Sequence, residues 1–117
     1  MELNLVAVGL YSVAGLGGMI MAIRAFGGQG SPTALAVLHL LFALAGAGTL
    51  YAYISSGDVD QKYTIALGLY GAAALGGLFL GSFRFRKDGK MPPNAIVGVH
   101  ALVAVAGTFV LVTAVFA

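Results

Sequence analysis

Two stretches of this chain, PTALAVLHLLFALAG at residues 32–46 and PNAIVGVHALVAVAG at residues 93–107, follow one pattern, P-x6-H-x-L-x-A-x-A-G. The two histidines of the protein, His39 and His100, occupy the same position in the two stretches. An ionisable side chain is costly within an apolar membrane helix and usually has a function there. The recurrence of one histidine in each half is therefore the feature that a functional interpretation has to explain.

The composition predicts a membrane protein. Charged residues make up 9% of the chain, whereas a soluble domain has about 25%. Four apolar runs separate the charged clusters, and each approaches or exceeds the roughly 20 residues that cross a hydrocarbon core. Because these runs lack period-two alternation, they indicate helices rather than barrel strands. We predict an all-α, integral membrane four-helix up-down bundle with helices at about 3–24, 32–54, 63–83 and 93–117.

The repetition extends beyond the histidine stretches. The tripeptides Gly-Leu-Tyr and Leu-Gly-Gly of the first predicted helix both recur 59 residues later, in the third. Two helical hairpins joined in series have the same orientation and form parallel repeats about an axis along the membrane normal. We therefore predict a single four-helix transmembrane domain over residues 1–117, with repeat 1 at 3–55 and repeat 2 at 62–117.

The charge distribution predicts the orientation. Lysine and arginine collect in the two connections within the hairpins, and Lys62 alone lies on the other side. By the positive-inside rule, loops 25–31 and 84–92 face the cytoplasm and both termini lie outside. The first apolar run lacks the leading positive charge of a cleavable signal peptide, so we expect it to be retained as a membrane span. The membrane that we expect is a prokaryotic inner membrane. The lipid bilayer is the expected partner, and nothing in the composition suggests a nucleic acid.

The histidines are candidate metal ligands. Each follows a proline by seven residues, which places it about 10 Å into one of two parallel helices that lie diagonally across a bundle. Zinc normally takes four ligands, and no Asp, Glu or Cys lies near this depth. Two histidines do complete the axial positions of an iron that a porphyrin already holds. We predict that His39 and His100 ligate one haem b, either within the chain or between the chains of a homodimer.

Small residues on all four helices leave room for a flat ring. Helical spacing gives the first and third helices matching faces. These faces are Tyr11, Gly15, Gly18 and Ala22 in the first, and Tyr70, Ala74, Gly77 and Gly81 in the third. The glycines predicted to lie near the haem are Gly17, Gly18, Gly46, Gly76, Gly77 and Gly107. Close packing of membrane helices explains such glycines equally well. Arg24 and Arg84 stand near the cytoplasmic interface, where they could pair with the haem propionates.

The helix order, the two histidines and these glycines resemble the membrane b-type cytochromes. The haem-bearing core of that family takes axial histidines from its second and fourth helices and has glycines where the ring lies flat. The resemblance implies a bis-histidine haem site at His39 and His100. The larger family carries two histidines on each of these helices for two stacked haems. One histidine per helix here implies a single haem.

A haem iron with two histidine ligands has no free position, which favours electron transfer or haem handling over oxygen chemistry. We therefore expect a non-enzymatic protein whose partner is a redox protein or a quinone. Two alternatives remain at this stage. One is a small transporter or channel subunit whose histidines titrate near neutral pH. Its helices, however, lack the polar residues that a hydrophilic path needs. The other is a structural membrane protein whose histidines are hydrogen-bonded in the core.

Overall fold

The computed structural model describes residues 2–117, and four long helices occupy most of this range. The helices are α1 Leu3–Phe26, α2 Thr33–Ser55, α3 Gln61–Ser82 and α4 Asn94–Phe116. A 3₁₀ turn, Phe83–Phe85, follows α3. Helices take up 82% of the chain, which confirms the predicted all-α class. Each of the four is long and apolar enough to cross a membrane.

Local capping explains where three of the helices begin. Pro32 and Pro93 occupy the positions just before α2 and α4, with φ of −56° and −59°. Proline costs nothing there, because the first amides of a helix have no partner within it. Helix α3 begins at Gln61, two residues earlier than predicted. The side chain of Asp60 causes this difference, since it accepts a hydrogen bond from the amide of Lys62 at 2.9 Å.

Glycines shape the two connections within the hairpins. Helix α1 continues two residues beyond Arg24, its predicted end, because the amide of Gly27 still bonds to a carbonyl one turn earlier. Gly28 then adopts a φ of 77°, and Gly89 in the second connection adopts 68°. Residues with a β-carbon rarely adopt this left-handed conformation. Each connection therefore contains one glycine that another residue would replace only with backbone strain.

The helices pack in chain order around a square. Each has two neighbours, so that α1 and α3 lie across one diagonal and α2 and α4 across the other. Contacts are most extensive within the two hairpins, α1 with α2 and α3 with α4, and sparsest between α2 and α3. We call the end with connections 27–32 and 83–93 the loop end; the second connection includes the 3₁₀ turn. The opposite end, which holds both chain termini, is the terminal end.

The packed core lies in the terminal half of the bundle. Its buried members come from all four helices and are Ala7, Tyr11, Leu50, Tyr63, Ala66, Tyr70 and Leu111. Leu50 of α2 and Leu111 of α4, which occupy equivalent positions in the two repeats, are fully buried. At the inner boundary of this core, the rings of Tyr11 and Tyr70 stack with centroids 3.5 Å apart and planes 5° apart. The two hairpins thus meet through matching residues.

A polar contact ties the hairpins together near the termini. The buried Asn4 donates from Nδ2 to the hydroxyl of Tyr63 at 3.1 Å. That hydroxyl in turn donates to the carbonyl of Ala114 at 3.2 Å. Since a buried polar group is costly unless it is paired, this chain of hydrogen bonds favours one register between α1, α3 and α4.

Candidate ligand-binding cavity

His39 in α2 and His100 in α4 approach each other across the diagonal of the bundle. Their ring centroids lie 6.4 Å apart, and the ring planes make an angle of 78°. Both rings line one open cavity of about 1310 Å³, which reaches the two connections within the hairpins and extends in the other direction as far as Leu67 and Val112. Its wall is mostly apolar. The structure therefore brings the two predicted ligands together on a common cavity.

A hydrogen bond defines the protonation of the His39 ring. Its Nδ1 lies 2.7 Å from the carbonyl oxygen of Ala14. Because a carbonyl can only accept, Nδ1 must carry the proton, and in the neutral ring Nε2 keeps a free lone pair. Histidines that ligate metals commonly donate their other N–H to a backbone carbonyl in this way. In its neutral form, the His39 ring thus leaves Nε2 free to bind a metal ion.

His100 has a matching environment with one difference. Its Nδ1 is buried and has no hydrogen-bond partner. The carbonyl of Ala73, which is equivalent to Ala14, lies close to this ring but outside hydrogen-bonding geometry. A buried nitrogen without a partner is costly, and a small movement of the ring toward Ala73 would satisfy it in the manner of His39.

Two of the predicted glycines provide the space for the histidine rings. A β-carbon at Gly18 would lie 2.9 Å from Cε1 of His39, and one at Gly77 would lie 3.1 Å from Cε1 of His100. A β-carbon at Gly18 would displace the His39 ring, and one at Gly77 would require the His100 ring to move by a few tenths of an ångström. Gly17 and Gly76 flank these positions and have ordinary contact distances to the same two histidines. Gly18 and Gly77 line the cavity, whereas Gly17 and Gly76 do not.

The remaining predicted glycines contact tyrosines instead. A β-carbon at Gly46 would lie 3.0 Å from the ring of Tyr11, and one at Gly107 would lie 3.3 Å from the ring of Tyr70. Neither glycine lines the cavity, but both tyrosines do. Gly46 and Gly107 therefore make room for the two stacked tyrosines, which form part of the cavity wall.

The helical faces read from the sequence do line the cavity. All four residues of the α1 face and all four of the α3 face belong to its wall. Ala43 and Ala104, one turn after the histidines of α2 and α4, belong to it as well. Small side chains from four helices thus surround the space between His39 and His100.

The two predicted arginines are placed differently. Arg24 donates from Nε and Nη2 to the carbonyl of Gly30, at 3.0 and 2.8 Å, and does not line the cavity. Arg84 lines the cavity at the loop end and donates from Nη1 to the carbonyl of Ser31 at 2.8 Å, which links the two connections. The structure thus brings Arg84, but not Arg24, to the site with the histidines.

Two further cations at the cavity, Arg86 and Lys90, were missed at the sequence level. Both belong to the second connection and line the cavity beside Arg84. Their position in the same basic loop as Arg84 was the available signal. Helical spacing could not separate them from Lys87, which does not line the cavity, because residues 86–93 of this connection are irregular.

The histidine pair stands without acidic or sulfur ligands. Within residues 2–117, no three side chains among His, Cys, Asp and Glu come together. A metal held by protein ligands alone usually needs at least three of them. Of these four residue types, the cavity wall carries only His39 and His100 in the part of the chain that the structure describes.

Comparison with known proteins gave no match. No protein-family model, no curated protein and no solved structure is similar to the chain. The geometry of the cavity therefore carries the functional argument.

Proposed function

We propose that the chain is an integral membrane protein that binds one haem b between His39 and His100, for electron transfer or haem handling. The pair of rings, 6.4 Å apart on the wall of a large and mostly apolar cavity, is the observation that carries this proposal. The four helices that are long and apolar enough to cross a membrane support its membrane location.

The spacing of the rings suits one metal ion between them. An imidazole nitrogen binds a metal at about 2.0 Å, so two rings that coordinate from opposite sides have centroids about 6.3 Å apart. The observed separation is 6.4 Å. The 78° between the planes is compatible, since each ring can rotate about its own metal–nitrogen axis. The free lone pair on Nε2 of His39 supports the same arrangement.

A porphyrin accounts for the rest of the coordination. Two protein nitrogens complete an iron whose four equatorial positions are already filled. The cavity exceeds the roughly 300–1,000 Å³ of typical small-molecule pockets. Its mostly apolar wall, with small residues from all four helices, fits a flat apolar ring better than a hydrated ion.

The residues around the cavity would control the chemistry of such a group. Bound haem supplies a one-electron iron couple, whose potential depends on its axial ligands and their surroundings. The hydrogen bond from His39 to the carbonyl of Ala14 holds that ring in place and increases electron donation by Nε2. If both histidines held the iron, they would leave no position open for dioxygen. Electron transfer or haem handling therefore fits better than oxygen chemistry.

The same proposal places the loop end in the cytoplasm of a prokaryotic cell. Of the six lysines and arginines, all except Lys62 lie in or beside the two connections at that end. Because the chain has no cysteine, single cysteines at Lys87 and Gly57 can test this orientation in inverted and right-side-out vesicles. A membrane-impermeant maleimide should label Lys87→Cys in inverted vesicles and Gly57→Cys in right-side-out vesicles. The opposite pattern would overturn the orientation.

Optical spectroscopy tests the cofactor. We expect the detergent-purified protein, as isolated or after addition of hemin, to show a sharp Soret band and split visible bands on reduction with dithionite. These bands report low-spin iron with two nitrogen ligands. A colourless preparation that also fails to take up hemin would refute the proposal and favour the transport or structural alternatives.

Two single variants test the ligands. His39→Ala and His100→Ala should each abolish the six-coordinate low-spin spectrum, because each removes one axial nitrogen. Leu38→Ala and Val99→Ala, at neighbouring exposed positions, are the matched controls and should keep the spectrum. If either histidine variant retains the full low-spin signal, the ligand assignment is wrong.

A further inference from the structure

Three cations line the cavity at the loop end, and all belong to the second hairpin. They are Arg84, Arg86 and Lys90. The first connection contributes Gln29, Gly30 and Ser31 to the same wall and no charged side chain. The charge around the cavity is thus concentrated on one side of the bundle.

The three cations differ in their present partners. Arg84 bonds to the carbonyl of Ser31 and is exposed. Arg86 pairs with Asp88 at 2.8 Å, and its guanidinium lies 5.0 Å from the ring of Phe83. Among residues 2–117, the ammonium group of Lys90 has neither a hydrogen-bond nor an ion-pair partner.

Asp88 does not neutralise this group. The second connection holds four cations, Lys87 and the three at the cavity, against this one carboxylate, which leaves a net charge of +3. Hydrogen bonds from Arg86 and from the amide of Lys90 hold the pKa of Asp88 below its usual value. Asp88 is therefore ionised at neutral pH and orients Arg86, while an excess of positive charge remains for an anionic ligand.

The opposite end of the cavity is apolar. Away from the loop end, its wall includes the stacked rings of Tyr11 and Tyr70, the small residues of α1 and α3, and the apolar side chains of Leu67 and Val112. A ligand that fits both ends has an apolar body and carries its acidic groups along one edge. It would enter with the apolar edge toward the tyrosines and keep the acidic edge among the cations.

We infer that Arg84, Arg86 and Lys90 form a carboxylate-binding site at the mouth of the cavity. This inference rests on the proposed function: the acidic edge is that of a porphyrin dicarboxylate held between His39 and His100. Because the cations come from one connection only, the site also determines which way the acidic edge points. Arg84, with its planar array of donors, suits a carboxylate in bidentate geometry.

The test compares hemin with hemin dimethyl ester, which has the same ring and iron but no acidic groups. Both are titrated into the detergent-solubilised protein at low ionic strength, and the Kd of each is measured from the Soret absorbance. We expect hemin to bind about tenfold or more tightly than the ester. Added salt should reduce this preference, because the cations are exposed to solvent.

Single variants identify the residues. Arg84→Gln, Arg86→Gln and Lys90→Gln should each weaken hemin binding several-fold and leave ester binding unchanged. Lys87→Gln removes the same charge from the same connection at a position that does not line the cavity. This control should retain the full preference for hemin.

The outcomes separate this inference from the proposed function. If hemin and its ester bind equally well with a low-spin spectrum, the carboxylate site is wrong and the haem site stands. If Lys87→Gln lowers the preference as much as the other three variants, the residue assignment is wrong, because general charge is responsible. If neither compound gives a low-spin spectrum, the haem proposal fails and the carboxylate site fails with it.

Discussion

The two halves of the bundle use the same four helices in different ways. In the terminal half, Leu50 and Leu111 are fully buried between the helices. In the loop half, the equivalent space holds the two histidines and opens into a cavity of about 1310 Å³ that extends as far as Leu67 and Val112. Gly18 and Gly77 replace the large side chains that would otherwise fill that space. The packed core and the histidine pair thus occupy separate lengths of the same helices.

The largest effect is expected from filling the loop half. Gly18→Leu and Gly77→Leu should abolish the low-spin hemin spectrum and lower hemin affinity about 1000-fold, or about 4 kcal/mol. A β-carbon at Gly18 already lies 2.9 Å from the His39 ring, so a leucine must displace it. The measurement is the same Soret titration. Circular dichroism should show that the helices remain.

Gly9→Leu and Gly68→Leu provide the matched controls. These two positions are equivalent in the repeats, and a β-carbon at either meets nothing within 4 Å. Both variants should bind hemin as the parent chain does. Equal loss of binding in the controls would mean that helix packing in general, and not the space beside the histidines, determines binding.

In the terminal half we expect a smaller effect, on the free energy of unfolding rather than on hemin affinity. Leu50→Ala or Leu111→Ala should lower the free energy of unfolding by about 2–4 kcal/mol, because each leaves a cavity in the packed core. Hemin affinity of the folded protein should change less than about threefold, or about 0.7 kcal/mol. Leu38→Ala, at an exposed position, is the control for the size change. A large loss of hemin affinity in Leu50→Ala would show that the halves are coupled.

We expect the smallest change in the free energy of unfolding from Tyr11 and Tyr70, which lie at the boundary between the two halves. The hydroxyl of Tyr70 shares a hydrogen bond of 2.7 Å with Oγ1 of Thr108, whereas the buried hydroxyl of Tyr11 has no partner. Tyr70→Phe should therefore destabilise the protein by about 1 kcal/mol, and Tyr11→Phe should be neutral or stabilising. Unfolding of both variants in mixed micelles gives the comparison. The reverse order would contradict this account of the boundary.

Much of this division of the helices could be predicted from the periodicity of the sequence. The apolar runs predicted four helices, and spacing along α1 placed Tyr11, Gly15, Gly18 and Ala22 on the face that lines the cavity. Such inferences hold because residues three and four apart share one side of a helix whatever its neighbours are. The helix ends were less accurate, because side-chain capping by Asp60 extends α3 toward its N-terminus.

Contacts between different helices, or between a helix and a connection, could not be predicted from sequence periodicity. Gly46 shares a helix with His39, but what it touches is the ring of Tyr11 from α1, and this depends on the height at which α1 packs. Likewise, Arg24 bonds to the carbonyl of Gly30 because Gly28 turns the chain back toward it. Residue type and spacing alone contain no information on that turn.

The stacked tyrosines also bear on the response to voltage. Tyr11, Tyr70 and the rest of the packed core lie between the histidines and the terminal end. His39 is six residues from the start of α2 and 16 from its end, so an electron exchanged with a haem bound as proposed would have its shorter route at the loop end. In the proposed orientation, such an electron arrives from and returns to the cytoplasmic side. One full charge that crosses the whole membrane changes its energy by about 2.3 kcal/mol per 100 mV. A charge that enters and leaves on one side crosses only part of that field, so its transfer should depend weakly on the membrane potential.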